Sequence, residues 1–226
     1  KSAGALAFGP DGILFVGDAK GATVFAIGTG DTKGDPSKVS LNVSGLNVKV
    51  AETLGVNADK ITISDLAVNP LTGNVFLSVS KAGSPAVVKV AADGKLSQVS
   101  LAKVAFQKVE LPNAPEDKDV ATKRGPANLR NQSITDIAYA EGKVYVSGVA
   151  GGSPSNVREI PFPFTDANAG TSVEIYHGAH GRLEDNAVVR TFLPINIDGE
   201  ASLLAGLTCT PLVKFPVNTL KPGEKT

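Results

Sequence analysis

The sequence predicts an all-β protein built from repeated blades, a β-propeller, and three observations carry this prediction. An Ile-Ser-Asp-Leu-Ala pentapeptide at 63–67 is repeated as Ile-Thr-Asp-Ile-Ala at 134–138. Each copy is followed by a glycine turn and an apolar run of β-branched and aromatic residues, and an earlier copy occupies 5–17. Repetition every several tens of residues, in units of short strands and turns, is typical of radially or linearly stacked sheets.

The glycines of the repeat predict how its strands fold back. In each copy a glycine lies three residues before an aromatic residue: Gly12 before Phe15, Gly73 before Phe76, and Gly142 before Tyr145. Glycine lacks a Cβ atom and therefore accepts the positive φ of tight hairpin turns. The runs on either side of each glycine are expected to pair as antiparallel strands.

A fourth copy is visible in its later strands, where 204–208 and 212–217 parallel 146–150 and 157–162. The sequence thus predicts one propeller domain, or a portion of one, over 1–226, with about four visible blades. We expect the blades near 5–45, 62–101, 134–176 and 188–220, with a loop insertion at 108–132. Propellers of this strand style commonly close with six or seven blades, so the four are expected to be part of a larger ring.

Two segments interrupt the repeat. Apolar residues between Val48 and Leu54 follow helical spacing and are closed by Gly55, which predicts a short helix on a blade edge with a glycine C-cap. The segment 111–126 is polar, punctuated by proline and without periodicity, which predicts a surface loop.

The hairpin at 6–18, Leu-Ala-Phe-Gly-Pro-Asp-Gly-Ile-Leu-Phe-Val-Gly-Asp, resembles the inner hairpins of the NHL and SMP-30 (gluconolactonase)-like propeller superfamily. The phrase Ile-Pro-Phe-Pro-Phe at 160–164 is similar to uncharacterised secreted bacterial propellers. The resemblance covers most of the chain, but it is a blade pattern and not a catalytic motif. It implies a fold and supplies no reaction.

Aspartates recur in the repeat, and the resemblance invites comparison with the channel carboxylates of calcium-dependent gluconolactonase-like enzymes. Asp65 and Asp136 occupy one blade position, and such repetition predicts that they accept backbone N–H groups from a turn or a neighbouring blade. Asp18 follows an inner strand, where Gly-Asp is also ordinary turn chemistry. Calcium is nevertheless kept as one candidate cofactor.

Composition restricts the function classes. The 226 residues include 42% apolar residues, 24 glycines and 14 prolines, and 22 basic residues balance 22 acidic ones, which argues against a nucleic-acid partner. No apolar stretch is long enough to span a bilayer. The chain begins at Lys1 and contains no methionine, so we expect a processed precursor with a removed secretory signal and a periplasmic or extracellular location.

The strongest chemical candidate is the glycine-rich turn that carries His177 and His180, the two histidines of the chain. Neutral imidazoles at this spacing suit a transition metal such as zinc or copper. A closed site needs further ligands, which Glu184, Asp185 and Cys209 could supply. The alternative is a loop held by histidine hydrogen bonds to backbone carbonyls.

Two arginines near this turn are candidate ligand-binding residues. Arg182 and Arg190 could bind a carboxylate or phosphate through their planar donor forks. Either could equally pair with Glu184 or Asp185 in a solvated loop.

Three functions are consistent with these patterns. We expect a non-catalytic propeller that binds a ligand or a protein. The first alternative is a metal-dependent enzyme, of lactonase, hydrolase or oxidoreductase type, at the His177/His180 loop, and the second is a structural component of a cell-surface assembly. Because an open ring exposes its terminal blades, we also expect a second chain or a missing segment to complete the propeller.

Overall fold

The computed structural model describes residues 1–122, 125–184, 187–208 and 212–226, without the side chains of Pro154 and His180. Strands are the main regular structure, with one α-helix, and the chain divides into two compact units, residues 1–108 and 109–226. Each unit holds two successive sheets whose strands mostly neighbour each other in chain order, as in the blades of a propeller. The prediction of an all-β propeller with about four visible blades is confirmed.

The first unit contains two four-stranded sheets, apart from the last two residues of one strand, and we call these sheets blades 1 and 2. Blade 1 has the strand order β1 (Leu6–Phe8), β2 (Ile13–Asp18), β3 (Thr23–Gly28) and β8 (Phe106–Glu110). Blade 2 has the order β4 (Ile61–Val68), β5 (Val75–Lys81), β6 (Ser84–Val90) and β7 (Leu96–Gln98).

Blade 1 receives its fourth strand only after blade 2 has been built. The chain leaves β3, passes through a helix and all of blade 2, and returns beside β3, where Gly28 N–H donates to the Ala105 carbonyl at 3.0 Å. The segment directly after β3 is rich in Gly, Asp, Pro and Thr and has no alternating apolar run, so it forms turns and not a strand. The predicted range 5–45 therefore holds three of the four strands.

The predicted helix is confirmed as α1 (Leu46–Leu54), which ends at Gly55 with a left-handed φ of 68°. The Gly55 N–H donates to the carbonyls of Ala51 and Glu52, the C-cap that the sequence predicts. The buried side chains of α1 pack with the outward face of blade 2, in a cluster with Val50, Leu54, Leu77, Val79 and Val88. Among the described residues, no helix is long and apolar enough to cross a bilayer.

The second unit contains blades 3 and 4 and two short hairpins. Blade 3 consists of β11 (Asp136–Ala140), β12 (Lys143–Ala150), β13 (Ser153–Pro161) and β14 (Thr171–Ser172), and blade 4 of β17 (Val189–Ile197), β18 (Glu200–Leu207) and β19 (Val213–Pro216). The hairpins are β9 (Asp119–Thr122) with β10 (Gly125–Asn128) and β15 (Tyr176–His177) with β16 (Arg182–Leu183). The first hairpin lies within the predicted loop insertion 108–132.

Single turns of 3₁₀ helix connect several of these strands. They are Pro10–Gly12, Pro36–Lys38, Ala58–Lys60, Leu129–Gln132, Gly178–His180 and Val217–Thr219.

The repeated glycine turns have the backbone that the sequence predicts. Gly12, Gly73 and Gly142 have φ values of 71°, 72° and 76°. The first two strands of blades 1, 2 and 3 pair antiparallel, and the same alanine–aromatic pair recurs in each: Ala7 opposite Phe15, Ala67 opposite Phe76, and Ala138 opposite Tyr145.

A carboxylate joins the two blades of each unit. Asp65 Oδ2, on the first strand of blade 2, accepts the Leu6 N–H of blade 1 at 2.7 Å. Asp136 Oδ2, on the first strand of blade 3, accepts the Phe192 N–H of blade 4 at 2.8 Å. We call this contact the carboxylate clasp, and it confirms the predicted backbone-accepting role of both aspartates.

The clasp also aligns the fourth copy with the others. Leu6 and Phe192 occupy equivalent positions, and Phe192 lies opposite Ala205 in the sheet. Ala205 therefore takes the place of Val146, one residue later than the sequence alignment predicts. β17 also carries a bulge between Val189 and Thr191, as β4 does between Ile63 and Asp65.

Candidate functional site

The hairpin of β15 and β16 brings two of the predicted metal ligands together. His177 Nδ1 lies 2.5 Å from Glu184 Oε1, and the side chains are 25% and 8% exposed. Glu184 N–H donates to the Ile175 carbonyl at 2.8 Å, which holds the carboxylate beside the hairpin. His177 lies opposite Arg182 across the hairpin. The arrangement resembles a carboxylate that orients an imidazole ring.

The remaining predicted ligands cannot be placed in this way. The His180 backbone belongs to the 3₁₀ turn Gly178–His180, but its side chain lies outside the described part of the structure, as do Asp185 and Cys209 entirely. Within the described residues, no group of three or more His, Cys, Asp or Glu side chains could hold a metal ion. The transition-metal site, with His177, His180, Glu184 and Cys209 as ligands, stays a prediction.

Arg190 has specific partners at the surface of the second unit. Its Nε donates to Thr208 Oγ1 and its Nη1 to Gln132 Oε1, both at 2.9 Å. The side chain therefore links the end of β18 to the turn that precedes blade 3, without a contact to Glu184. Arg182 is exposed on β16. Anion binding by the two arginines stays a prediction.

A cavity between blades 3 and 4 was not predicted from the sequence. Its volume is about 170 Å³, and it lies between the β11–β12 turn and the β17–β18 turn. Its lining includes Glu141, Tyr145, Pro194, Asn196, Ser202 and Val217. We call this space the blade 3/4 cavity.

Tyr145 and Ser202 are the buried polar residues of this cavity. The Ser202 hydroxyl donates to the Glu200 carbonyl at 3.1 Å, whereas Tyr145 is 2% exposed and no described residue forms a hydrogen bond with its hydroxyl. Burial, and then the charges of Glu159 and Glu141, raise the pKa of Tyr145 to about 12. One signal in the sequence could have identified it, because this copy of the repeat has tyrosine where the others have Phe15 and Phe76.

Blade 4 presents an apolar face that no described element covers fully. Leu193 and Ile195 are 50% and 38% exposed, on the side of β17 that points away from blade 3. The corresponding side of blades 2 and 3 carries Phe76 and Tyr145, which are buried against the neighbouring blade of the same unit. We call the side of β17 with Leu193 and Ile195 the open face of blade 4.

Comparisons with known proteins do not identify a function for this chain. No family model matches the sequence, and no curated protein is detectably similar to it. A PQQ-bound aldose sugar dehydrogenase from Streptomyces coelicolor has 15% identity and a TM-score of 0.29, over 90% of this chain and 88% of that one. A virginiamycin B lyase from Staphylococcus aureus has 10% identity and a TM-score of 0.28, over 96% and 71%. Structural similarity at this level does not support an assignment of fold or function. The propeller assignment therefore rests on the sheets of this structure.

Proposed function

We propose that this chain is a non-catalytic, protein-binding propeller scaffold and that the open face of blade 4 is its binding surface. The observation that supports the proposal is the exposure of Leu193 and Ile195 on a side that packs against another blade in blades 2 and 3. Exposed apolar patches in soluble proteins commonly mark interaction sites. The partner would be a further blade, supplied by a second copy of this chain.

Blade 2 provides an internal contrast to the open face. Its outward side is also apolar, but α1 lies against it and buries Leu77 and Val88. The helix covers the β5–β6 part of this side only, because Leu66 and Val68 on β4 stay 51% and 52% exposed. Within the described residues no helix lies on the open face of blade 4, which supports a binding role there.

The free energy of association available from the open face requires a partner about as large as a blade. Complete burial of a leucine or isoleucine side chain contributes about 1.5–3 kcal/mol, and Leu193 and Ile195 are already partly buried. These two side chains alone would support only a weak contact. A sheet that also covered the rest of blade 4 would exclude water from a much larger apolar area.

The association state of the 226-residue chain tests this proposal. In sedimentation velocity experiments over a range of concentrations, we expect reversible self-association through the open face. The double variant Leu193→Lys with Ile195→Lys should be monomeric, because each lysine would place a charge in the apolar contact. Leu101→Lys, at an exposed leucine outside the blades, is the matched control and should behave as the wild-type chain.

A strictly monomeric wild-type chain at every concentration would contradict the proposal, as would equal effects of the double variant and the control. A discrete complex larger than a dimer would favour the structural component of a cell-surface assembly. The periplasmic or extracellular location belongs to the same proposal and can be checked by fractionating the source cells.

A metal-dependent enzyme is the second candidate, and the short His177–Glu184 contact favours it. A carboxylate on one imidazole nitrogen fixes the ring and raises its basicity, as in many metal sites. His177 and His180 would bind zinc or copper, and Glu184 would orient His177. Elemental analysis of natively purified protein should then show about one metal per chain, lost in His177→Ala and His180→Ala. Metal-free protein would count against this candidate.

A further inference from the structure

We propose that the blade 3/4 cavity binds a small organic cation, an ammonium group attached to an apolar body about the size of benzene. The cavity adjoins the open face of blade 4 at Ile195, but binding of a small cation there does not depend on the scaffold function. It rests on the origin of the cavity, its size, and the charge and hydrogen-bonding groups of its lining.

The cavity arises from two changes in the repeat. In the first unit, Phe8 packs edge-on against Phe76, with ring centroids 5.1 Å apart and an interplanar angle of 74°. Phe8 lies two residues after the clasped Leu6, and the residue two after the clasped Phe192 is Pro194. A proline ring is much smaller than a phenylalanine side chain, so the space that Phe8 occupies in one unit is left vacant in the other.

The size of the cavity sets the size of its ligand. An engineered protein cavity of about 150 Å³ accommodates benzene. At about 170 Å³, the blade 3/4 cavity can accept a six-membered ring with one substituent. Pro194 and Val217 supply apolar walls for the ring.

The charge of the lining selects a cation. Glu141 is an exposed acidic residue of the β11–β12 turn, and the lining contains no lysine, arginine or histidine. Glu159, the other carboxylate close to Tyr145, is neutralised by Lys143 Nζ at 2.8 Å. Glu141 therefore provides the net charge at the cavity, and it favours a positively charged ligand over a neutral or an anionic one.

Tyr145 would complete the site by hydrogen bonding. The hydroxyl is protonated at neutral pH, and burial and the nearby carboxylates raise the pKa of Tyr145 further, to about 12. A neutral phenol oxygen can accept a hydrogen bond from an ammonium group, which carries donors only. The aromatic ring also offers a favourable surface to a cation.

Binding of three ligands of similar size and different charge tests the inference. Titration calorimetry or NMR at pH 7 should show benzylamine, present as its cation, binding with a Kd of about 1 mM, the range expected for so few atoms. Benzyl alcohol should bind about fivefold more weakly, and benzoate at least tenfold more weakly, because of the repulsion from Glu141.

Three variants identify the site. Pro194→Phe places in the cavity the side chain that fills the equivalent space in the first unit and should abolish binding of benzylamine. Glu141→Gln should remove the preference for the cation, and Tyr145→Phe, which restores the residue of the other copies, should weaken binding about fivefold. Glu52→Gln, at an exposed glutamate of α1, is the matched charge control and should change nothing.

Several results would overturn the inference. They are benzoate binding as tightly as benzylamine, no detectable binding of benzylamine, and benzylamine binding that a folded Pro194→Phe protein retains. Should Pro194→Phe fail to fold, Glu141→Gln in the exposed turn still tests the proposed site. An unchanged preference for the cation in that variant would exclude it.

Discussion

The blade pairs of the two units share one clasp and differ in the groove beside it. Asp65 and Asp136 each accept a backbone N–H from the first strand of the neighbouring blade. In the first unit the groove is filled by Phe8 against Phe76, whereas in the second it holds the blade 3/4 cavity, which is open on one side. A contact to the backbone can hold two blades in place whichever side chains follow, so the adjoining groove is free to serve packing or binding.

The two clasps also differ in the order in which the chain visits the blades. In the first unit the carboxylate belongs to the later blade and reaches back to blade 1, and in the second it belongs to the earlier blade and reaches forward to blade 4. The carboxylate occupies the same position on the first strand of both blades. The clasp is therefore determined by the side of the blade and not by chain order.

The largest expected effect compares the aromatic residues of the two grooves. Phe76→Ala should lower the free energy of unfolding by about 3–5 kcal/mol, because it empties a filled core. Tyr145→Ala should cost about 1–2 kcal/mol less, since its ring already borders a cavity. Urea denaturation of both variants measures this, with Phe106→Ala, an exposed phenylalanine, as the control. Equal losses for Phe76→Ala and Tyr145→Ala would refute the contrast between a filled and a hollow groove.

The clasps should give similar, intermediate losses. Asp65→Ala and Asp136→Ala each remove the charged acceptor of a backbone N–H in the neighbouring blade, which should cost about 2–3 kcal/mol. Asp59→Ala changes an exposed aspartate whose ion pair with Lys60 is solvated, and it should stay within about 0.5 kcal/mol of wild type. The shared clasp would be in doubt if either clasp variant were as stable as this control in urea denaturation.

The smallest expected effect is a pH dependence that belongs to the first unit. Burial of Asp31 opposes its ionisation, but hydrogen bonds from Thr72, Asn74 and Asn69, with the charge of Lys89, outweigh it and hold the pKa of Asp31 below its ordinary value. A carboxyl with a lowered folded-state pKa stabilises the protein above the pKa of the unfolded chain, near pH 4.

The contribution of Asp31 to the free energy of unfolding should therefore disappear as the pH falls from about 4 through its folded-state pKa. Denaturation curves between pH 2 and pH 6 should show a shallower decline for Asp31→Asn than for the wild-type chain. An identical acid limb in the two proteins would exclude Asp31 as its source.

Local signals explain which features could be predicted from the sequence. Gly12 and Gly55 lie where the local backbone requires a positive φ, and both have the predicted left-handed conformation. Asp65 was assigned to a backbone-accepting role because repetition at one blade position points to structure. Glu184 is proposed as a further ligand because it follows the histidine turn closely in the chain, and the structure brings it against His177, while the metal itself stays a prediction.

The missed features depend on which residues meet across blades. The strand Phe106–Glu110 joins blade 1 by pairing with β3, which is far away in the sequence. The five residues of this strand do not indicate which strand they pair with. The blade 3/4 cavity results from the absence of side-chain volume at Pro194 opposite Tyr145. No run of residues in a sequence indicates an empty space of this kind.

The late return of β8 has a consequence for synthesis on the ribosome. All four strands of blade 2 lie between Ile61 and Gln98, so this sheet can be completed as soon as that stretch has been translated. Blade 1 begins earlier but must wait for residues Phe106–Glu110. During that interval the nascent chain carries an unpaired edge at β3, which neighbouring nascent chains on the same messenger could bind.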